Sequence, residues 1–98
     1  MTIDKKLDGT KLYAQVKGRI DTVTVNEAEK VLKADIDSVT DLTLDFKELD
    51  YISSAGLRLL LSLQKQMNKQ GSMKIKNANE TVLEIFEVTG FCDILTIE

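Results

Sequence analysis

The alternation of apolar and polar positions divides the chain into short segments of two periods. Leu12, Ala14 and Val16 alternate with Tyr13, Gln15 and Lys17, the period of a half-buried strand. With residues 2–8 this run flanks Asp8-Gly9-Thr10, a hairpin signal, and Gly18 is expected to end the second strand. Val25, Ala28, Leu32 and Ile36 follow helical spacing, which predicts a helix over about 24–37. Thr24 and Glu27 fit a capping box at its start. Leu42, Leu44 and Phe46 alternate again and predict a strand over 41–46, followed by a polar turn at Lys47–Asp50.

Leucines at 57, 59, 60, 61 and 63, with Met67, cover more than one helix face. The helix they form should be the most buried, with Gly71 as its stop. Met73 and Ile75 predict another strand. Asn79 caps a short helix carrying Val82, Leu83, Ile85 and Phe86, and Ile94, Leu95 and Ile97 predict a weak terminal strand. The order β-β-α-β-α-β-α-(β) requires right-handed crossovers. The expected fold is α/β: a mixed, mostly parallel sheet of four to five strands, with the helices packed mainly on one side.

Composition narrows the function more than the fold. The 98 residues fit one domain over 1–98, and 43% hydrophobic with 30% charged residues is ordinary for a globular chain. There is no His and one Cys, which removes Ser-His-Asp and Cys-His catalysis and any conventional zinc site. The lone Cys92 permits no internal disulfide, fits a reducing, cytoplasmic setting, and is expected as a small buried hydrophobe. No apolar run approaches membrane-spanning length, and a net charge of −3 argues against general nucleic-acid or membrane binding.

The chemistry concentrates in Tyr51-Ile52-Ser53-Ser54-Ala55-Gly56-Leu57-Arg58. A strand ends, two serines follow, and the buried helix begins beside two small residues. Unpaired N–H groups and the positive end of the helix dipole favour oxygen acceptors and anions there. Ser-Ser-Ala-Gly is also an ordinary helix-start signal. A second segment, Lys17-Gly18-Arg19-Ile20-Asp21, sits at the end of a predicted strand, where ligand contacts gather in open α/β sheets. Asp21 either faces a partner or holds its loop. The irregular spacing of Asp45, Glu48 and Asp50 reads as a solvated turn, not a cation site.

Taken together, Gly18-Arg19-Ile20-Asp21, Leu42-Thr43-Leu44-Asp45-Phe46 and the Tyr51–Arg58 segment resemble the STAS domain. That family is found in sulfate transporters and in bacterial anti-sigma factor antagonists. The Thr89–Leu95 tail is similar to that of the single-domain antagonists, and the resemblance covers essentially the whole chain. It implies a partner-switching regulator; no enzymatic activity and no cofactor are expected, and a monomer that forms heteromeric complexes is the default expectation. Its partners would be an anti-sigma factor that is also a serine kinase, and a serine phosphatase. Binding to the anti-sigma factor would release a sigma factor, and phosphorylation would end the binding. By position the phosphoacceptor is Ser54. The family often has Asp where this chain has Ser53, which makes Ser53 a second candidate. The implied partner-binding residues are Asp21, Ser53, Ser54, Ala55, Gly56 and Arg58.

Three other roles stay open. One is an adaptor subunit of a lipid-transport, transporter or stress-sensing complex. Another is a small-ligand sensor using the helix start. The third, an enzyme with Ser54 as nucleophile, lacks a base: no His exists and no Lys stands three residues after Ser54.

Overall fold

The computed structural model describes all residues, 1–98. Five strands and three helices follow in the order β1 (Thr2–Asp8), β2 (Lys11–Ile20), α1 (Val25–Lys33), β3 (Asp41–Asp45), β4 (Leu49–Ile52), α2 (Ser54–Gln70), β5 (Ser72–Lys76) and α3 (Glu80–Val88). Short 3-10 turns lie at Ile36–Ser38 and Phe91–Asp93. The sheet order is β1-β2-β3-β5, with β1 antiparallel to β2 and the other pairings parallel.

The hairpin turns through Gly9 and Thr10, with Gly9 at φ +60° in the first central position. That position demands positive φ, which Gly supplies without steric cost. Strand β2 then runs past Gly18 instead of ending there. Gly18 adopts φ +93° and marks a register shift, so the strand bends and continues to Ile20. The bend lets one strand serve two partners. Lys11–Gln15 pairs with β3, and Gly18–Ile20 pairs with β4.

The expected polar turn over 47–50 is shorter than predicted, because Leu49 is fully buried and starts β4. The buried positions of this four-residue strand, Leu49 and Ile52, stand three apart, so its start carries no period-2 signal in the sequence. The helix expected over 24–37 stops at Lys33, and Ile36 reaches the core from the 3-10 turn instead. The terminal strand reduces to one bridge, Ile75 with Ile97.

One face of the sheet is covered. Leu12, Ala14 and Val16 of β2, Leu42 and Leu44 of β3, and Met73 and Ile75 of β5 are buried with Leu57, Leu60, Leu63 and Met67 of α2. Ala28 and Leu32 of α1 and Val82 and Phe86 of α3 complete the core. The end of α2 is tied to the connection between α1 and β3: Gln70 Nε2 donates to the carbonyls of Ile36 and Val39, both at 2.6 Å.

The opposite face carries Tyr13, Gln15, Thr43, Asp45, Lys74 and Lys76 and is largely open. Thr43 and Asp45 are nevertheless buried there. Asp45 is 5% exposed and accepts hydrogen bonds from the Tyr13 hydroxyl, the Lys47 N–H at 2.9 Å and Asn77 Nδ2 at 3.1 Å. It is a buried junction between β2, β3 and the β5–α3 connection, not the solvated turn residue expected. Cys92 likewise departs from expectation: it is exposed in the last 3-10 turn.

Candidate functional site at the start of α2

Strands β2 and β4 run parallel and end side by side, with Ile20 paired to Ile52. The next residue of each is therefore brought to one edge: Asp21 leads into α1, and Ser53 leads into α2. The Ser53 N–H donates to the Ile20 carbonyl at 2.9 Å, which fastens the two chain segments together. The predicted site residues thus converge, because parallel strands place their C-terminal ends together.

Ser53 is the N-cap of α2, in extended conformation, and its hydroxyl accepts from the Gly56 N–H at 3.5 Å. Its carbonyl accepts the Leu57 N–H at 2.9 Å, the first bond of the helix. Ser54 opens the helix; its side chain is exposed and its hydroxyl has no hydrogen-bond partner. The Ser54 and Ala55 N–H groups have no carbonyl one turn earlier to bond, so they present partial positive charge beside that hydroxyl. Ala55 and Gly56 are buried. A Cβ on Gly56 would lie 2.5 Å from Ile52 Cγ1 and 2.9 Å from Ile20 Cγ2. Gly56 therefore lets the helix start sit directly on the ends of β2 and β4. Arg58 is exposed one turn beyond Ser54, within reach of the same helix face.

Asp21 turns its carboxylate inward. Its Oδ1 accepts from the N–H groups of Val23 at 3.0 Å and Thr24 at 3.1 Å. Thr24 does not form the expected capping box: its hydroxyl donates to the Arg19 carbonyl at 2.8 Å and accepts from the Asp21 N–H at 3.0 Å. Asp21 therefore organises the start of α1. Two further residues of this edge had no distinct sequence signal. Arg19 lies over the Tyr51 ring, 4.7 Å from its centroid, a cation–π contact that needs the β2–β4 register to be known. Val23 is 85% exposed and puts an apolar side chain on the loop beside Asp21.

The Asp21 carboxyl is held below the ordinary carboxylate range by the Thr24 and Val23 N–H groups, with the Thr24 hydroxyl and Arg19 adding to them against a partial loss of hydration. Burial of Asp45 opposes its ionisation, but the Tyr13, Lys47 and Asn77 donors outweigh it and its pKa also falls. A lowered folded-state pKa contributes stability above the unfolded value, near 4, which is lost as pH falls through the folded value. Stability should therefore drop on acidification below about pH 4. The Asp21→Asn, Asp45→Asn double variant should show a flatter acid limb in urea midpoints measured against pH. An unchanged acid limb would contradict these assignments.

Residues 3–98 match the STAS domain. The chain belongs to the STAS domain family. It is 36% identical to BtrV of Bordetella bronchiseptica, named as an anti-sigma factor antagonist, over 99% of this chain and 84% of that protein. It is 28% identical to the anti-sigma-B factor antagonist of Bacillus subtilis, over 99% of this chain and 90% of that one. The anti-sigma factor antagonist SpoIIAA of Bacillus shares the fold in its unphosphorylated form, with TM-score 0.84, 18% identity and coverage of 99% and 88%. Its phosphorylated form aligns with TM-score 0.76, 17% identity and coverage of 99% and 91%. The STAS relatives are thus named as antagonists, that is, as regulators and not as enzymes. No helix of this STAS chain is long and apolar enough to cross a membrane.

Proposed function

We propose that this STAS protein is an anti-sigma factor antagonist switched by phosphorylation at Ser54. In its unphosphorylated form it binds an anti-sigma factor that is also a serine kinase, and a sigma factor is released. The kinase transfers the γ-phosphoryl group of ATP to Ser54 Oγ; ADP leaves and the hydroxyl proton passes to a base of the kinase. A serine phosphatase restores the hydroxyl by hydrolysis: water attacks phosphorus, inorganic phosphate leaves, and Ser54 Oγ regains its proton. The observation that carries this reading is the exposed, unpartnered Ser54 hydroxyl on the first turn of α2. The relatives named as antagonists, and a fold neighbour solved in a phosphorylated form, support it.

The geometry favours Ser54 over Ser53 as acceptor. The Ser53 hydroxyl is engaged with the Gly56 N–H, and phosphorylating it would rebuild the helix cap. Ser53→Ala should cost about 1 kcal/mol of stability, the usual worth of a serine cap. Ser54→Ala should leave stability within about 0.5 kcal/mol of wild type, because no contact is lost. Urea titration of the two variants checks this, and equal losses would contradict the division of roles.

The binding surface is the edge formed by Ser54, Arg58 and the Asp21–Val23 loop, with Ala55 and Gly56 keeping the helix start low. Affinity capture from the native cell, with wild-type and Ser54→Asp baits and mass-spectrometric identification, tests the function. A serine kinase of the anti-sigma type should be captured by wild type and lost with Ser54→Asp. Capture of transporter or lipid-transport subunits instead, unaffected by the substitution, would overturn the proposal.

A further inference from the structure

Strand β1 pairs only with β2 and forms the free edge of the sheet, on the side of β2 away from β3 and β4. Its seven residues, Thr-Ile-Asp-Lys-Lys-Leu-Asp, are exposed apart from Ile3, and Leu7 keeps 48% of its surface. The hairpin register determines which backbone groups point outward. In a two-residue hairpin the closing pair, here Asp8 with Lys11, exchanges both hydrogen bonds, and pairs alternate from there. Thr2, Asp4, Lys6 and Asp8 therefore bond to β2. Ile3, Lys5 and Leu7 direct their N–H and C=O groups away from the sheet.

We propose that this edge pairs with the same edge of a second copy, antiparallel about a two-fold axis through Lys5, joining two sheets into one. Only registers that match outward-pointing residues to each other satisfy both backbones. The register centred on Lys5 pairs Ile3 with Leu7 of the second copy twice and Lys5 with Lys5 once, giving three fully bonded pairs. On the open face it sets Asp4 opposite Lys6 twice, an attractive cross-strand pair. The neighbouring registers are self-repelling: one sets Asp4 on Asp4, the other Lys6 on Lys6. Lysine in an edge strand ordinarily discourages such pairing. Here Lys6 acquires a counter-charge, and Lys5 is turned back to its own chain. Its Nζ donates to the Val31 carbonyl at 2.8 Å and to Asp35 at 3.0 Å. The contact covers the exposed Leu7 side chains and spans a single strand per copy, so the dimer is weak and concentration-dependent. Such a dimer departs from the monomer expected from the sequence and does not rest on the regulatory role of Ser54.

Charge swaps test the register. Lys6→Glu sets Glu against Asp4 in both symmetric pairs, and Asp4→Lys sets Lys against Lys6. An equimolar mixture of the two variants restores opposite charges at every position. By sedimentation equilibrium, wild type should approach the dimer mass between about 10 µM and about 1 mM, with each variant at least about 10-fold weaker and the mixture recovering. Amide exchange on wild type gives a second readout that needs no variant. The Ile3, Lys5 and Leu7 amides should slow with concentration while those of Asp4 and Lys6 do not change. A wild type monomeric across that range, variants that dimerise as wild type does, or uniformly fast exchange at Ile3, Lys5 and Leu7 would overturn the proposal.

Discussion

Phosphorylated Ser54 should lose most of its affinity for the anti-sigma partner while the domain keeps its helices. A phosphate adds about 1.5 to 2 negative charges. Within this chain that charge is well placed, beside the free N–H groups of Ser54 and Ala55 and one turn from Arg58. The modification therefore does not melt α2. Its effect falls on the interface, where a group fitted to a small hydroxyl must accept a hydrated dianion. Burying an unmatched charge in an interface costs about 2–5 kcal/mol. Calorimetric titration should give Ser54→Ala an affinity near that of wild type. The phosphorylated protein and Ser54→Asp should bind at least about 30-fold more weakly, the aspartate less severely affected because it carries a single charge. Equal affinities for the alanine and aspartate variants would remove Ser54 as the switch. A large loss of helical circular dichroism on phosphorylation would replace local blocking by unfolding.

Gly71→Ala should be the most destabilising conservative change away from the site. Gly71 ends α2 with its N–H bonded to the Met67 carbonyl at 2.7 Å. A Cβ built there would lie 1.9 Å from the Thr40 carbonyl oxygen. That oxygen cannot retreat cheaply, because it accepts the Ser72 N–H at 2.9 Å, the bond that starts β5 beside β3. The Thr40 N–H is itself fixed to the Thr10 carbonyl at 2.8 Å. Relief requires moving the α2–β5 junction or breaking the entry to the parallel ladder. We expect a cost of about 3 kcal/mol, at the upper end of ordinary substitutions and a large share of a small domain's stability. The melting temperature should fall by at least about 12 °C, at about 4–8 °C per kcal/mol for a chain this size. A fall under about 3 °C would show that the junction yields more easily than its hydrogen bonds imply.

The parts of the fold legible in the sequence were those with a sustained period or a specific turn residue. The β1–β2 hairpin, α2 with its Gly71 stop, and α3 with its Asn79 cap emerge as read, each fixed by local chemistry. The structure departs where tertiary pairing overrides local signals. Gly18 looks like a strand end, yet the β4 partner keeps the chain extended through a bulge. Asp45 looks like a solvated turn residue because the partners that bury it, Tyr13 and Asn77, are 32 positions away in each direction. Thr24 fails to form the expected capping box because the Arg19 carbonyl takes its hydroxyl, while Asp21 holds its loop, one of the two roles open to it in the sequence. The candidate site was legible as a pair of segments, through the serines before the leucine-rich helix and the Gly-Arg-Ile-Asp run. Their convergence needed the Ile20–Ile52 register, and the Arg19–Tyr51 contact and exposed Val23 follow only from it.

The central claim, that the free hydroxyl on the first turn of α2 is the switch, is tested most directly by mapping the phosphate. The wild-type protein, incubated with its captured kinase partner and ATP, would be digested and sequenced by tandem mass spectrometry. A single phosphate on Ser54, with Ser53 unmodified, is the predicted result. A phosphate on Ser53 or elsewhere, or none, would contradict the account.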